Sequence, residues 1–342
     1  MTGALMNKET GEPILIDGKK VTSSTTFTAE KAEGSVEVVF TFDASVLEGT
    51  TVVAYENLIY KGVEVAIHAD ITDKDQTVYI PKVRTTAIAD DTKDHVTEAK
   101  KDVTIVDTVS FKSLEVGREY TVKGVLMDKS TGEELKVNDE SITAEETFTA
   151  DAADMIITLT YTLDATTLAG TTTVVFENLY SDGALLAAHA DLEDAEQTVY
   201  IPEIHTTAKD QTTKINHTEA TKNATIVDTV FYTHLLPGRE YTVTGTLMDQ
   251  ATNKPILVNG KEVTAESTFT AKAQKGTVDV IFTFDGSALE DTLIVVFETL
   301  YTEKKEVGVH AEINDDAQTV YLPKIRTNAE DAATKINHTE AK

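Results

Sequence analysis

Three kinds of side chain that could take part in covalent or acid–base chemistry recur in this chain at an interval of 121 residues. They are a glutamine that begins the segment QTVYIP or QTVYLP, a histidine eight residues before it, and a glutamate that follows an apolar run. The positions are Gln76, Gln197 and Gln318; His68, His189 and His310; and Glu56, Glu177 and Glu298. An imidazole can take a proton and a buried carboxyl can keep one, so each set could support acid–base chemistry beside a primary amide.

The glutamine side chain is expected to point into the protein core. In the strand-like segment from Gln197 to Pro202, alternation places Gln197 on the same face as Val199 and Ile201. A primary amide on that face needs hydrogen-bond partners. Glu177 directly follows Val-Val-Phe, where burial would raise its pKa and favour the protonated form at neutral pH. A structural interpretation is simpler for any single copy, but three copies in phase favour a chemical one.

A hydroxyl group recurs at the same interval. Thr108 and Thr229 each follow an aspartate in the segment TIVDTV. A threonine hydroxyl is a weak nucleophile until a base takes its proton, which a neutral imidazole can do. A histidine that ends one strand and a glutamine that begins the next can be neighbours in space. The threonine, histidine and glutamine of one repeat are therefore candidates for a single site.

These intervals identify a tandem repeat with a period of 121 residues, which is the size of a domain. The register predicts a truncated repeat at residues 1–84, complete repeats at 85–205 and 206–326, and the leader of a further repeat at 327–342. Met1 occupies the position of Val243, in the middle of a repeat. We therefore expect the chain to be a fragment of a longer protein.

The periodicity inside a repeat is that of β-strands. Short β-rich runs are separated by turn residues, and in the second repeat they are VTIVDTVSF, REYTVKGVLM, ETFTA, MIITLTYTL, TTTVVFENLY, ALLAAHAD and QTVYIP. Seven strands in a repeat of this length are typical of an immunoglobulin-like sandwich. The predicted fold class is therefore all-β, with tandem immunoglobulin-like β-sandwich domains in series.

The composition narrows the class of partner. Lys and Arg number 30 against 58 Asp and Glu, and the net charge of −28 repels nucleic acids and anionic lipid surfaces. The chain has no cysteine, which excludes disulfides, thiol catalysis and thiolate metal sites. No apolar run is long enough to span a membrane, and the first ten residues do not form a signal peptide. We expect no cofactor and no metal.

Together, the segments TIVDTV, VVFEN and HAD…QTV resemble the Thr–Gln ester-bond domains, the VaFE-type repeats of Gram-positive surface proteins. The resemblance covers nearly the whole chain. It implies an immunoglobulin-like sandwich whose first and last strands are joined by an ester, in the pairs Thr108–Gln197 and Thr229–Gln318. It also implies that His189 and His310 are bases, and that the helper acids are Glu177, Asp128, Glu298 and Asp249.

The reaction that this resemblance implies releases ammonia when the threonine hydroxyl attacks the glutamine amide. A protonated carboxyl can donate a hydrogen bond to the developing oxyanion, and the fold supplies proximity. The first repeat departs from the pattern because Asn7 stands where the others have Asp128 and Asp249. Its threonine would precede residue 1, so Gln76, His68 and Glu56 form an unpaired half-site.

Function is expected to be structural, as a stalk segment of a cell-wall-anchored, extracellular bacterial adhesin. Each site would react once, without turnover, and a head domain outside this chain would bind a ligand on a host or neighbouring cell. One alternative is a hydrolase, because threonine, histidine and glutamate resemble a catalytic triad. Others are a β-sandwich that binds a host ligand through its loops, and a sandwich cross-linked through lysine by an isopeptide bond.

Overall fold

The computed structural model describes residues 1–338, which form 28 β-strands and contain no α-helix. Two short 3-10 helices lie at Ser45–Leu47 and Ala195–Gln197. The chain divides into two compact units. The first comprises Met1–His95, Lys101–Asp164 and Thr172–Val199, and the second comprises Val96–Lys100, Ala165–Thr171 and the chain from Tyr200 onward. The all-β prediction is confirmed.

The first repeat contains seven strands: β1 (Thr2–Asn7), β2 (Leu15–Ile16), β3 (Lys19–Lys20), β4 (Thr22–Ser24), β5 (Thr50–Tyr60), β6 (Val63–His68) and β7 (Thr77–Ile80). Five of them form one sheet in the order β4-β1-β5-β6, with β7 also paired to β5. A small core lies on this sheet and includes Leu5, Ile14, Val21 and Val52.

The second repeat contains ten strands: β8 (Lys82–Ala89), β9 (Val103–Lys112), β10 (Glu119–Asp128), β11 (Lys136–Val137), β12 (Glu140–Ser141), β13 (Thr143–Thr149), β14 (Met155–Leu163), β15 (Thr171–Ser181), β16 (Ala184–His189) and β17 (Thr198–Ile201). A three-stranded sheet in the order β14-β9-β8 faces a five-stranded sheet in the order β13-β10-β15-β16, with β17 paired to β15. The large buried side chains between them include Phe111, Tyr120 and Tyr161.

The third repeat contains the remaining strands: β18 (Glu203–Asp210), β19 (Ala224–Thr233), β20 (Glu240–Asp249), β21 (Lys254–Pro255), β22 (Leu257–Val258), β23 (Lys261–Glu262), β24 (Thr264–Thr270), β25 (Gly276–Phe284), β26 (Thr292–Thr302), β27 (Lys305–His310) and β28 (Thr319–Leu322). It has a three-stranded sheet in the order β18-β19-β25 and a six-stranded sheet that adds β21 to the five-stranded arrangement of the second repeat. Phe282, Tyr241 and Leu247 lie in the buried cluster of this repeat.

Strand alternation decides which side chains enter the core. In β9 the buried positions are Val103, Ile105, Asp107, Val109 and Phe111, and the residues between them face outward. Residues of the same parity face the same side of a strand, so an aspartate in this apolar series is carried into the interior by its position alone. The buried carboxylic acid is therefore a direct consequence of the sequence pattern.

A close approach between the two layers recurs in every repeat. A Cβ atom at Gly245 would lie 2.5 Å from the Phe282 ring, and one at Gly124 would lie 1.8 Å from the Tyr161 hydroxyl. In the first repeat a Cβ atom at Gly3 would lie 2.5 Å from Phe40. Glycine is required at these positions because any side chain would displace the aromatic ring above it.

Strand β8 is the main element that the sequence patterns did not predict. It pairs along its whole length with β9, from Lys82↔Lys112 to Ala89↔Ile105. The predicted boundary at 84/85 cuts through this strand, and the boundary at 205/206 likewise cuts through β18. Both strands complete the three-stranded sheet of the repeat that follows the boundary, so those repeats begin a few residues earlier than predicted.

Among the described residues, the first repeat has one large sheet, whereas each of the other two repeats also has a three-stranded sheet. Residues 34–42 correspond to β14 in the 121-residue register, yet they form no strand. In the second repeat β14 pairs with β9 through nine residue pairs. The first repeat shows no counterpart of β8 or β9 among residues 1–338, so the backbone of 34–42 has no adjacent strand with which to pair.

A search for membrane-spanning helices gives a negative result for residues 1–338, where no helix is long and apolar enough to cross a bilayer.

Candidate functional site: a buried threonine, glutamine and acid pair

Both glutamines of the complete repeats are fully buried. Gln197 ends the 3-10 helix that precedes β17, and Gln318 immediately precedes β28. Neither side chain has any solvent exposure. The alternation argument predicted that Gln197 points inward, and its burial agrees with that. Because a buried amide is costly without polar neighbours, the groups around it define the site.

In the third repeat the neighbours of the glutamine are a threonine and a glutamate. Gln318 Nε2 donates to Thr206 Oγ1 at 2.6 Å and to Glu298 Oε2 at 2.5 Å. Thr206 Oγ1 in turn donates to Glu298 Oε2 at 3.4 Å. All three side chains are buried. A hydroxyl nucleophile, an amide and a carboxyl therefore meet in one enclosed place.

The second repeat contains the same set of groups. Thr85 Oγ1 donates to Glu177 Oε2 at 3.2 Å, and both residues are buried with Gln197. Asp107 is fully buried, and Glu177 and Thr85 both influence its pKa, which places its carboxyl beside them. Asp228 takes the corresponding place beside Glu298 and Thr206 in the third repeat. Each complete repeat thus holds one threonine, one glutamine and two carboxyls.

The threonines are directed inward by the strands that carry them. In β8, Val83, Thr85, Ala87 and Ala89 are buried while Arg84 and Thr86 are exposed. In β18 the buried series contains Ile204, Thr206 and Ala208. Ala208 N–H also donates to Ala317 O at 2.9 Å, which ties this strand to the residue just before Gln318.

Burial makes the two carboxyls an unequal pair. Desolvation, and then the nearby charge of Asp107, raise the pKa of Glu177 well above its ordinary value. Desolvation also raises the pKa of Asp107, although hydrogen bonds from Glu177 and Thr85 oppose this. Glu298 and Asp228 show the same directions for the same causes. The glutamate therefore keeps its proton at neutral pH and can donate it in a hydrogen bond.

The predicted nucleophiles, Thr108 and Thr229, are not brought to the glutamines. Thr108 is exposed on β9, where it faces Thr86 on one side and Thr158 on the other. Thr229 donates to Asp279 Oδ1 at 2.8 Å on the exposed face of β19. Each follows the buried aspartate by one residue, and strand alternation turns it to the opposite face. The structure instead places Thr206 at Gln318, and it places Thr85, the residue in register with Thr206, at Glu177.

The predicted second acids, Asp128 and Asp249, lie at the end of β10 and β20 and cap the turns that follow. Asp128 Oδ1 accepts hydrogen bonds from the backbone N–H groups of Ser130 and Thr131. Asp249 Oδ1 accepts one from Ala251 N–H. Asn7 makes the same kind of cap in the first repeat, through Glu9 N–H. An amide oxygen accepts these backbone hydrogen bonds as well as a carboxylate does, which explains why Asn7 can stand where the other repeats have an aspartate.

The histidines lie at the end of the strand next to the buried glutamate. His189 pairs in register with Glu177, and His310 pairs with Glu298. His189 and Thr85 line the same surface depression of about 300 Å³ together with Asp194. Thr108 forms part of the outer wall of that depression. The imidazole of His189 and the threonine therefore lie on the same depression.

The first repeat keeps part of this arrangement in an open form. Its glutamate, Glu56, pairs in register with His68, and burial raises the pKa of Glu56 while the charge of His68 opposes the rise. The His68 side chain is 52% exposed, against 17% for His189. Gln76 is only partly buried beside Glu56. No threonine of the described residues completes this half-site in the way that Thr85 does.

The site residues that were not predicted also recur with the 121-residue period. Thr85, Thr206 and Thr327 stand 121 residues apart, as do Asp107 and Asp228. Alternation within TIVDTV also puts the aspartate, not the threonine, on the face of Ile105 and Val109. Strand β8, KVRTTAIA, alternates but contains few large apolar residues, so the strand patterns did not single out its threonine. Among residues 1–338 no cluster of three or more metal-ligating side chains is present.

The fold and site define a class: tandem β-sandwiches in which a threonine near the first strand meets a glutamine near the last. The chain belongs to the T-Q ester bond containing domain family, whose pattern matches residues 1–80, 81–201 and 202–322. The second and third matches begin before β8 and β18, so Thr85 and Thr206 fall inside the same domain as their glutamines. The resemblance to Thr–Gln ester-bond domains is confirmed.

The solved structures that match the chain include two from bacterial proteins. One is an adhesin from Mobiluncus mulieris containing intramolecular disulfide, isopeptide and ester bond cross-links, with 15% identity, coverage of 64% of this chain and 80% of that chain, and a TM-score of 0.31. Another is the C-terminal domain of the Streptococcus agalactiae AgI/II polypeptide BspA, with 9% identity, coverage of 66% and 97%, and a TM-score of 0.32. No curated protein sequence matches the chain.

Proposed function

We propose that this chain is a stalk segment of a bacterial surface adhesin, and that two of its repeats lock themselves with an internal ester. The ester joins Thr85 to Gln197 in the second repeat and Thr206 to Gln318 in the third. The observation that carries the proposal is the contact of 2.6 Å between Thr206 Oγ1 and the Gln318 amide, in a site closed to solvent.

The reaction is an exchange of an amide for an ester. Thr206 Oγ attacks Gln318 Cδ, and the hydroxyl proton moves to the imidazole of His310. The C–N bond of the tetrahedral intermediate then breaks, and the departing nitrogen receives that proton and leaves as ammonia. No atom is oxidised or reduced, and no cofactor is needed. The second repeat follows the same course with Thr85, Gln197 and His189.

The acid pair assists by stabilising charge on the amide oxygen. Glu298 carries a proton because burial and the charge of Asp228 raise its pKa. Glu298 Oε2 accepts from Gln318 Nε2 at 2.5 Å, so the carboxyl lies against the amide. Once the amide turns its oxygen toward Glu298, the carboxyl proton can stabilise the negative charge that develops there. The neighbouring charge of Asp228 helps to keep the proton on Glu298. Burial of the whole set also protects the finished ester from water.

The position of the bond suits a protein under tension. Thr85 lies near the start of the second repeat and Gln197 near its end, 112 residues later. An ester between them carries a pulling force from the first strand to the last without loading the hydrogen bonds of the sheets. Repeats in series with such bonds resist extension, which is what a stalk requires of its domains.

The remaining parts of the proposal concern location and partners. Each site reacts once, so the chain is not a turnover enzyme. We place it outside the cell in a wall-anchored protein, where the absence of cysteine leaves esters rather than disulfides as its covalent links. A head domain elsewhere in the parent protein would bind a ligand on a host or neighbouring cell. The net charge of −28 keeps the stalk soluble and makes nucleic acid an unsuitable partner.

Intact mass tests the proposal directly. The purified chain is expected to be lighter than its sequence mass by two molecules of ammonia, one for each complete repeat. Thr85→Val or Thr206→Val should each reduce the deficit to one ammonia, and the double variant should have none. Peptide mapping by mass spectrometry should find Thr85 joined to Gln197 and Thr206 joined to Gln318.

The matched control for this measurement is Thr108→Val, which removes the exposed hydroxyl from the neighbouring strand and should leave a deficit of two. A deficit of zero in the unaltered chain would rule out the ester. If Thr108→Val reduced the deficit to one ammonia and Thr85→Val left it at two, Thr108 would be the nucleophile, as the sequence predicted.

Stability should depend on pH in a repeat that is folded but not linked. In Thr85→Val, Glu177 keeps its proton when folded but ionises near pH 4.3 when unfolded. Because the pKa of Glu177 is higher in the folded state, its full contribution to stability is present below about pH 4.3 and is lost as the pH rises toward the folded pKa. Above pH 5, the raised pKa of Glu177 should lower the free energy of unfolding of the second repeat by up to about 1.4 kcal/mol per pH unit.

Hydrogen exchange of the β15 amides, followed between pH 5 and pH 8 and corrected for intrinsic rates, would measure this loss. Adding Glu177→Gln to Thr85→Val should flatten the dependence, because glutamine does not titrate. A slope that is the same with and without Glu177 would mean that its pKa is not raised in the folded state.

A further inference from the structure

A buried phenol lies beside the acid pair of the second repeat, and the reaction above does not use it. Tyr161 is 1% exposed, and its hydroxyl has no hydrogen-bond partner among residues 1–338. The third repeat has Phe282 at the corresponding position, and the first repeat has Phe40. A buried hydroxyl without a partner is costly, so its presence in one repeat calls for a neighbouring group that benefits from it.

Strand register places this hydroxyl next to Glu177. A Cβ atom on Gly124 would lie only 1.8 Å from the Tyr161 hydroxyl, so the phenol oxygen occupies the space in which a side chain at that position would begin. Gly124 pairs directly with Glu177 between β10 and β15, and both residues are buried. Directly opposite residues of an antiparallel pair have Cβ atoms about 4.5–5.5 Å apart. The hydroxyl and the Glu177 side chain therefore lie on the same small patch of the sheet.

The two carboxyl oxygens of Glu177 have different surroundings. Oε2 accepts from Thr85 Oγ1 at 3.2 Å, whereas Oε1 is buried without a hydrogen-bond partner among residues 1–338. Glu298 shows the same difference in the third repeat, where Thr206 and Gln318 both donate to Oε2 and Oε1 has no partner in the described chain. The second repeat thus has an unpartnered donor beside the unpartnered acceptor, whereas the third repeat has a phenylalanine at the position of the donor.

We propose that Tyr161 is a positioning residue that donates a hydrogen bond to Glu177 Oε1 and so keeps the carboxyl proton of Glu177 on Oε2. This inference rests on the proposed function. The two atoms make no hydrogen bond in the structure, and rotation of the Glu177 side chain would bring them together. A protonated carboxyl has one carbonyl oxygen and one hydroxyl oxygen, so a donor at Oε1 makes Oε1 the carbonyl oxygen. The proton then lies on Oε2, whose counterpart in Glu298 lies against the glutamine amide.

The protonation states of the two groups support this role. Burial raises the pKa of Tyr161 well above its ordinary value, and the neighbouring charges of Asp107 and Glu177 raise it further. The phenol therefore keeps its proton throughout the neutral range and acts as a donor. Burial and the charge of Asp107 also raise the pKa of Glu177, so its carboxyl is protonated and has one carbonyl oxygen to accept that hydrogen bond.

The test exchanges the two aromatic side chains between the repeats of the full chain, as Tyr161→Phe in the second and Phe282→Tyr in the third. Freshly synthesised chain is sampled over time, and peptide mapping measures the fraction of each threonine that is joined to its glutamine. Tyr161→Phe should slow linkage of the second repeat about fivefold to tenfold, which is the effect of one hydrogen bond. Phe282→Tyr should speed linkage of the third repeat by a similar factor. In each variant the other complete repeat is the control.

A role in packing alone predicts different results. Phe282 packs over Gly245 as Tyr161 packs over Gly124, so Tyr161→Phe removes the hydroxyl and keeps the ring. If the ring served only to fill space, Tyr161→Phe would leave the rate of linkage unchanged. Phe282→Tyr would then slow the third repeat, because it adds an atom to a space that is already filled.

Infrared spectroscopy at neutral pH gives a reading that does not require the ester. In a Thr85→Val chain, the carbonyl stretch of protonated Glu177 is identified by its loss when Glu177→Gln is added. A hydrogen bond to a carbonyl oxygen lowers the frequency of its stretch, so adding Tyr161→Phe to Thr85→Val should raise that frequency. A band that does not move, as expected if the phenol bound Asp107 instead, would overturn the inference.

The inference would also fail, with the ester intact, if Tyr161→Phe linked at the unaltered rate or if Phe282→Tyr linked no faster than the unaltered third repeat. Absence of any ester in the unaltered chain would overturn the proposed function itself. The infrared measurement separates these results, because it tests the contact between Tyr161 and Glu177 in a repeat that cannot link.

Discussion

Replacing Thr85 with valine is expected to lower the free energy of unfolding of the second repeat by about 4–5 kcal/mol. Valine has nearly the size of threonine, so packing changes little, but no ester can form. The ester would close a loop of 112 residues, and restricting the unfolded chain in this way accounts for most of the expected effect. The figure uses the chain-entropy relation for disulfides, which depends on loop length and not on the chemistry of the link.

Hydrogen exchange of β9 and β15 amides in increasing urea would measure this change for the second repeat alone. Thr86→Val is the matched control, because Thr86 is the next residue on β8 and is exposed, and it should change stability little. Thr85→Ser should keep most of the stability, since serine retains the hydroxyl. Equal unfolding free energies for Thr85→Val and Thr86→Val would show that no link stabilises this repeat.

Adding the missing hairpin to the first repeat is expected to produce a covalent complex. A peptide spanning residues 82–112 carries β8 and β9 and therefore both Thr85 and Asp107. In the first repeat residues 34–42 form no strand, although Phe40 packs over Gly3 as Tyr161 packs over Gly124. The peptide can insert β9 beside this segment by strand addition.

Once the hairpin is in place, its threonine should lie beside Gln76, with Glu56 and His68 already present. The expected product is one peptide per chain, joined to Gln76 with loss of one ammonia. It should survive boiling in detergent. The peptide should stabilise the first repeat strongly, because it pairs with an unpaired segment and covers Val39, which is 67% exposed.

Two controls separate linkage from simple binding. A peptide with Thr85→Val should bind without forming the bond, and a chain with Gln76→Leu should accept no covalent peptide. A peptide with Thr108→Val should link as the unaltered peptide does. If only that last change prevented linkage, the outward-facing threonine would be the nucleophile and the register of β8 would be mistaken.

Much of this site was predictable because it depends on period and alternation. Gln197, Glu177 and His189 stand in phase with their copies, and alternation alone placed Gln197 inward. The same rule, applied to TIVDTV, would have placed Asp107 in the core and Thr108 outside. The error at Thr108 came from taking the nearest hydroxyl in a strong strand pattern.

The second acid was also misassigned for a local reason. Asp128 and Asp249 each end an apolar strand, and the family resemblance implied them as helper acids. In the structure each serves the following turn through backbone N–H groups. Sequence patterns do not distinguish an aspartate that caps a turn from one that enters a core, because both follow a hydrophobic strand.

Period and strand alternation predicted the repeat, the all-β class, and the glutamine, glutamate and histidine of each site. The folded chain was needed to show which threonine and which second carboxyl lie beside the glutamate. Those residues lie on β8 and β9, far along the chain from β15 and β17, and the meeting depends on how two sheets face each other. Strand alternation fixes the face of a side chain, whereas its neighbour across the sandwich is set by long-range packing.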